Sequence, residues 1–273
     1  MEFNVRLLEW NIHLMAKKID SIACIVIEQI REINADINVI IEYKKNESFE
    51  NEVRSLGYTV CTNGLIDGQN EILVAIKTNI IMDKAEPFIL TNIPIENDEI
   101  CPNFIHVFFY EKCGVPVSII GVRKIDEITI EKQIRPLNRY LVSIKNNNPN
   151  QVIIATGDYN ATNDTLSQYI EKSFCVKTPK HNKSLYGTDD YINNYSYFFI
   201  NKYTKIIEGM NSIDHFICSN NIRIDDMKYS WSFIKKSEGY PCYDDIEKNK
   251  TVWNISRGFP DHAILIGTIK GYL

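Results

Sequence analysis

The stretch VIIATGDYN (152–160) decides the reading of this chain. Residues 152–155 form a short, nearly continuous apolar run, which suits a strand covered on both faces. The run passes into Gly157-Asp158-Tyr159-Asn160, so a carboxylate and an amide stand at the strand's end. The same arrangement recurs elsewhere. Residues 3–10 are strand-like and lead into Asn11 and His13; residues 37–41 are strand-like and lead into Glu42. Residues 213–218 carry Asp214 and His215 at their start, and residues 263–269 follow Asp261 and His262. Each of these polar residues alone is an ordinary turn former or cap. Together they include four carboxylates, two amides and a histidine with an Asp beside it, on the ends of apolar strands. Carboxylates gathered at one end of a sheet repel one another unless a cation joins them. Oxygen donors with few histidines suit Mg²⁺ or Mn²⁺ better than zinc.

The rest of the chain supplies strands with a few helices between them. Ile22, Val26, Ile30 and Ile33 recur at helical spacing and predict a helix over 20–33; residues 47–56 predict another. Residues 58–62, 71–77 and 79–90 carry apolar and β-branched runs broken by Asn-Gly and Asp-Gly, which predicts hairpins. Residues 104–110 and 116–122 read as an antiparallel pair. Ile130, Ile134, Leu137, Leu141 and Ile144 mark a helical face, and Pro136 inside it predicts a kink or a late start. Residues 171–211 show no sustained period and read as a long surface excursion. Residues 227–233 read as a strand. The sum is one α/β domain over residues 1–273, with two sheets face to face and helices outside.

Composition narrows the functional classes. The chain has 273 residues, 35 acidic and 30 basic, for a net charge of -5. With 44% apolar and 24% charged residues it is globular rather than disordered. No run approaches the roughly 18 apolar residues of a membrane span. The start, MEFNVRLLEW, lacks a basic segment followed by an apolar one, so no secretory signal is expected. The seven cysteines are scattered with no CxxC pair, which suits reduced thiols and a cytoplasmic location. Mild acidity offers no basic footprint for nucleic acid. It leaves a phosphodiester substrate open, because a bound cation supplies positive charge locally. No obligate protein partner is evident.

The segments EWNIH (9–13), ADINVIIE (35–42), GDYNAT (157–162), SIDHFICS (212–219) and FPDHAILIG (259–267) resemble, in order, the motif series of the endonuclease/exonuclease/phosphatase superfamily. The resemblance implies a four-layer α-β-β-α sandwich (DNase I-like), two mixed sheets packed face to face with outer helices. It implies a metal-dependent phosphoester hydrolase using Mg²⁺, with Mn²⁺ as the alternative ion. By resemblance, Glu42 binds the metal, Asn11 supports both metal and phosphate, and Asp158 positions or activates the attacking water. Asn160 donates to the phosphate, and His262 is either the base or a phosphate-stabilising group. Asp214 pairs with the imidazole and Asp261 sits nearer the metal. Alternation along an extended chain argues the same way, because Asp261 points away from its own neighbour's ring while Asp214 reaches it from another strand.

Departures from the pattern also carry expectations. Many relatives have His or Tyr where this chain reads GVRK (121–124), with Arg123. A guanidinium does not donate a proton at neutral pH but holds a phosphate through two hydrogen bonds. Arg123 is therefore assigned to phosphate binding, with a surface salt bridge as the alternative. His13 stands where some relatives have an acid, and either touches the site or is structural. His215 should face away. Tyr195, Tyr197 and Phe198 stack on substrate or belong to the core. The aromatic residues of 231–253, with Lys235, Lys236, Lys248 and Lys250, form a rim beside the site. The expected substrate is DNA or RNA. A small-molecule or lipid-headgroup phosphate is the alternative, and a non-catalytic interaction protein of the same fold is a remote one.

Overall fold

A parallel strand pair needs a crossover, and a helix provides it. The chain uses that unit twice. The structure, a computed structural model, describes residues 2–13, 20–64, 71–83, 86–125, 127–185, 189–200, 207–233, 243–245, 251–253 and 260–272. In chain order the elements are β1 (Glu2–Asn11), α1 (Asp20–Ile33), β2 (Ile37–Tyr43), α2 (Glu47–Ser55), β3 (Tyr58–Thr62) and β4 (Glu71–Lys77). Next come β5 (Phe88–Leu90), β6 (Asn103–Tyr110), β7 (Pro116–Arg123), α3 (Ile130–Asn147), β8 (Val152–Asp158), α4 (Asn163–Ser167) and β9 (Phe174–Lys177). Then follow β10 (Tyr197–Ile200), β11 (Ile207–Asn211), β12 (Asp214–Ser219), β13 (Ile222–Ser230), β14 (Tyr243–Asp245), β15 (Thr251–Trp253) and β16 (Ile264–Tyr272).

Two six-stranded mixed sheets pack face to face. Their orders are β13-β16-β1-β2-β4-β3 and β5-β6-β7-β8-β12-β9; β10-β11 and β14-β15 are separate hairpins. Near the centre of each sheet lies one parallel pair, β1 with β2 and β7 with β8. The other neighbours are antiparallel. α1 connects the first parallel pair and buries Ile25, Val26 and Ile30; α3 connects the second and buries Ile134, Leu137 and Leu141. The α3 residues pack with Ile120, Val122, Ile153 and Ala155 of the second sheet. Val117, Ile119, Val152 and Ile154, the alternate residues of the same two strands, join the core shared with the first sheet. The layers are therefore helix, sheet, sheet, helix, as the four-layer expectation had it.

Gly121 shows how close the sheets come. A Cβ there would lie 2.7 Å from Ile72 Cγ2 and 3.1 Å from Val39 Cγ1, both on the facing sheet.

Several local expectations need correction. α3 begins at Ile130 and runs through Pro136 to Asn147. The proline removes the hydrogen bond to the carbonyl of Lys132, and the backbone N–H of Ile100 donates to that carbonyl instead, at 3.0 Å. Within 79–90, a 3-10 turn covers Thr78–Ile80, Ile81 makes an isolated bridge to Glu111, and among the described residues Phe88–Leu90 is the strand. The excursion 171–211 contains β9 at the edge of the second sheet as well as the β10–β11 hairpin. Four- and five-residue strands are too short to show a period. β13 begins at Ile222, ahead of the expected 227, because its edge position tolerates the polar Arg223, Asp225 and Asp226.

Gly121→Val forces a branched side chain between the sheets. It should cost about 1–3 kcal/mol, read as a lower urea midpoint than wild type at unchanged slope.

Candidate active site

The carboxyl ends of the two parallel pairs meet at one rim, and each strand delivers a polar side chain there. β1 ends in Asn11, β2 reaches Glu42, β7 ends in Arg123 and β8 ends in Asp158. β12 starts at the same rim, with Asp214 opposite Asp158 in the ladder. β16 begins just after Asp261 and His262. The backbone leaves its regular course at these points. Glu42 (φ 54°), Asn160 (φ 46°) and His13 (φ 49°) are all left-handed, a conformation that costs non-glycine residues energy and clusters at functional sites. At Glu42 the β2–β4 register breaks between Ile40 and Tyr43. Gly157 (φ 150°) precedes Asp158, and a Cβ there would sit 1.8 Å from the Val122 carbonyl oxygen. Only glycine lets β8 pass β7 at this point.

Hydrogen bonds cross between the sheets. Asn11 Nδ2 donates to Glu42 Oε1 (3.3 Å) and to Asp158 Oδ2 (3.1 Å). The His13 N–H donates to Asn11 Oδ1 (3.0 Å), which orients the amide. Arg123 Nε donates to Glu42 Oε1 at 2.6 Å. His262 Nδ1 stands 2.9 Å from Asp214 Oδ2. Its Nε2 lies 3.9 Å from both Asp158 Oδ2 and Asp261 Oδ1. The Asn160 N–H donates to Asp158 Oδ1 at 2.9 Å.

Supporting groups surround the imidazole. Ser196 Oγ accepts from the backbone N–H of Ile213 (2.9 Å) and Asp214 (3.2 Å). The Tyr229 hydroxyl donates to the Asp214 carbonyl (2.7 Å), and Trp10 Nε1 donates to the His262 carbonyl (3.0 Å). The Tyr197 ring lies 4.8 Å from the His262 ring.

Asn11, Glu42, Arg123, Asp158, Asn160, Asp214, Asp261 and His262 thus belong to one neighbourhood. Arg123 is not in a surface salt bridge: its side chain is 15% exposed and it pairs with Glu42. His13 lies at the rim, its Nδ1 3.6 Å from Asp261 Oδ1. His215 is buried on the opposite face of β12, bonded to the Ala161 carbonyl and to Thr178 Oγ1. Tyr195 packs against His181. The side chain of Phe198 lies outside the described residues, as do Lys235, Lys236, Lys248 and Lys250. Sequence reasoning missed Ser196, Tyr229, Trp10 and, above all, Glu9.

No protein-family model matches the sequence, and no curated protein is significantly similar to it. Solved structures are similar. The human Nocturnin catalytic domain with bound sulfate anion superposes with a TM-score of 0.66 at 13% identity, covering 98% of this chain and 95% of that one. D. rerio TDP2 complexed with single strand DNA product gives 0.65 at 11% identity, covering 97% and 98%. An endonuclease/exonuclease/phosphatase family protein from Bacteroides thetaiotaomicron gives 0.63 at 13% identity, covering all of both chains. The chain has the DNase I-like fold of the endonuclease/exonuclease/phosphatase superfamily. The rim just described is formed within that DNase I-like fold by its two parallel strand pairs.

Burial governs the electrostatics of this rim. Burial pushes Asp158 up to about 7; His262 opposes the rise and Asp214 adds to it. For His262 burial alone would lower the pKa, but Asp214, through charge and hydrogen bond, then Asp158 and Asp261, hold it well above the usual imidazole range. Glu9 sits fully buried on β1, two residues before Asn11 on the same face, and neither carboxylate oxygen accepts a hydrogen bond from the described residues. Burial, then Asp214, raises its pKa well above the usual value, with His262 opposing and Asp158 adding. Burial therefore favours the protonated form of Glu9 under the site floor.

This has a pH consequence. Because the folded pKa lies above the unfolded value of about 4.3, the unfolded chain ionises Glu9 first as pH rises, so stability falls as pH rises between the two values. Glu9→Gln removes the ionisation. In urea titrations in EDTA, the variant should gain stability on wild type as pH rises above about 4.3; a pH-independent difference would contradict a raised Glu9 pKa.

Proposed function

We propose that the chain is a divalent-metal-dependent phosphoester hydrolase, and a nuclease on DNA or RNA in the first instance. The observation that carries the reading is the placement of His262, held by Asp214 on one ring nitrogen while the other faces Asp158 and Asp261 at 3.9 Å. That separation is too long for direct hydrogen bonds, and a water or phosphate oxygen placed beside the three groups would bridge them.

The donor set fits a hard cation. Asp261 Oδ1 is buried and accepts no hydrogen bond from the described residues. Glu42 and Asn11 add oxygen donors, the chemistry Mg²⁺ and Mn²⁺ prefer. Among the described residues no three His, Cys, Asp or Glu side chains are grouped closely enough to hold an ion alone. Held by Glu42, Asp261 and Asn11, such an ion would neutralise phosphate oxygens and the leaving group.

The chain's own groups divide the remaining work. Asp158, with a pKa near 7, is matched to accept the proton of the attacking water at neutral pH. His262, whose protonated form Asp214 favours, donates from Nε2 to a phosphate oxygen. Asn160 turns its amide toward the same phosphate as charge builds on it. Arg123 balances Glu42 and joins the phosphate contacts through its guanidinium. The sulfate in Nocturnin and the DNA product in TDP2 support an anionic phosphoester substrate. The net charge of -5 favours a short single-stranded segment over a long duplex, and keeps a small-molecule or lipid-headgroup phosphate as the second reading. We place this activity in a single catalytic domain over 1–273 and in the cytoplasm, a location supported by the six described cysteines all being free thiols. Among the described residues no helix is long and apolar enough to cross a membrane.

A panel of plasmid DNA, single-stranded RNA, inositol phosphates and sphingomyelin, each with Mg²⁺ or Mn²⁺, should reveal at least one phosphoester hydrolysed and EDTA should stop it. Glu42→Gln and His262→Ala should each lose about 10²–10⁴-fold in turnover. Wild-type rates in both would refute the site.

The pH profile of kcat/KM should rise through about pH 7 as Asp158 ionises and fall at alkaline pH as His262 loses its proton. Asp214→Asn removes the largest influence holding that proton, so the alkaline limb should move down by about one pH unit or more.

A further inference from the structure

Two cysteines face each other at the β9 edge of the second sheet. In the antiparallel β9–β12 ladder Cys175 lies directly opposite Cys218, and their Sγ atoms are 3.5 Å apart. Each sulfur also approaches the other residue's carbonyl oxygen, at 3.6 Å for Cys175 and 3.8 Å for Cys218. Directly opposed residues in such a ladder have Cα atoms about 4.5–5.5 Å apart, within the roughly 4.4–6.8 Å that a disulfide spans. The two thiols differ in access. Cys218 is fully buried between the sheets, whereas Cys175 is only partly buried on the edge strand. Neither takes part in the hydrolysis described above.

We propose that Cys175 and Cys218 form a reversible oxidation site, in which Cys175 reacts with a hydroperoxide and Cys218 closes a cross-strand disulfide. In the first step the Cys175 thiolate attacks a peroxide oxygen. The O–O bond breaks, a Cys175 sulfenic acid forms, and the other oxygen leaves as water or an alcohol after taking a proton. In the second step Cys218 Sγ attacks Cys175 Sγ. The S–O bond breaks and the hydroxyl leaves as water with the Cys218 proton. Two thiols are oxidised and one peroxide is reduced.

The surroundings favour this division of labour. The hydrogen bond from Cys218, followed by the charge of Lys177, lowers the Cys175 pKa to about 6 against the pull of burial, so the accessible thiol is the thiolate. The same bond and burial raise Cys218, which keeps it a thiol until the sulfenic acid stands beside it. Cys24 and Cys113 are exposed but lack an opposed thiol across a strand ladder among the described residues.

The test uses the reduced full chain treated with hydrogen peroxide, read by intact mass, alkylation and peptide mapping. The expected product has lost two hydrogens, carries a thiol-reversible link between the peptides holding Cys175 and Cys218, and unfolds at a higher temperature than the reduced form. Cys175→Ser should abolish the link, and Cys218→Ala should leave a dimedone-trappable sulfenic acid on Cys175. The wild-type peptide map decides the matter even if Cys218→Ala does not fold. Oxygen added to Cys175 without a link, or a link through Cys24 or Cys113, would overturn the proposal. Hydrolytic activity is not the readout, so its presence or absence bears only on the proposed function.

Discussion

Carboxylates brought together away from water must be neutralised, paired or hydrogen-bonded, and the arrangement of this molecule's rim follows from that requirement. Glu9, Glu42, Asp158, Asp214 and Asp261 lie close to one another between the two sheets. Each answers the constraint differently. Glu9 is pushed toward its protonated form by burial. Glu42 pairs with Arg123 and Asp214 with His262. Asp158 accepts from Asn11 and from the Asn160 backbone. Asp261 retains a buried oxygen that the described residues do not satisfy, and there a cation has the most to contribute.

The same bonds join the sheets. Arg123 and Asp158 come from the second sheet, while Glu42 and Asn11 come from the first. Below the rim the sheets are held by apolar contact as close as Gly121 allows; at the rim they are held by polar contact. Buried ion pairs of this kind add little net stability, because desolvation offsets the attraction. Their value lies in fixing His262 and the oxygen donors relative to one another before substrate arrives.

Much of this was legible in the sequence because strand ends are local features. An apolar run followed by an acid or amide places that group at a sheet's end, and period-two alternation separates neighbours such as Asp214 and His215. What escaped depended on partners distant in the chain. Pro136 sits inside a continuous helix because Ile100, from another segment, satisfies the freed carbonyl. Arg123 binds Glu42, 81 residues away, and no spacing rule reports that. Glu9 lies inside the quoted segment EWNIH and drew no reading of its own. Its raised pKa follows from the burial that the folded chain imposes. β9, four residues long, lacked the length for a pattern.

The left-handed turns at His13, Glu42 and Asn160 bear on attempts to borrow this rim. Their side chains converge because the main chain bends away from regular pleating at those points. Copying the eight residues onto an idealised sandwich would leave them pointing along parallel normals, several ångströms from one another. A transplant would have to carry the bends and Gly157 with them, and would inherit their conformational strain.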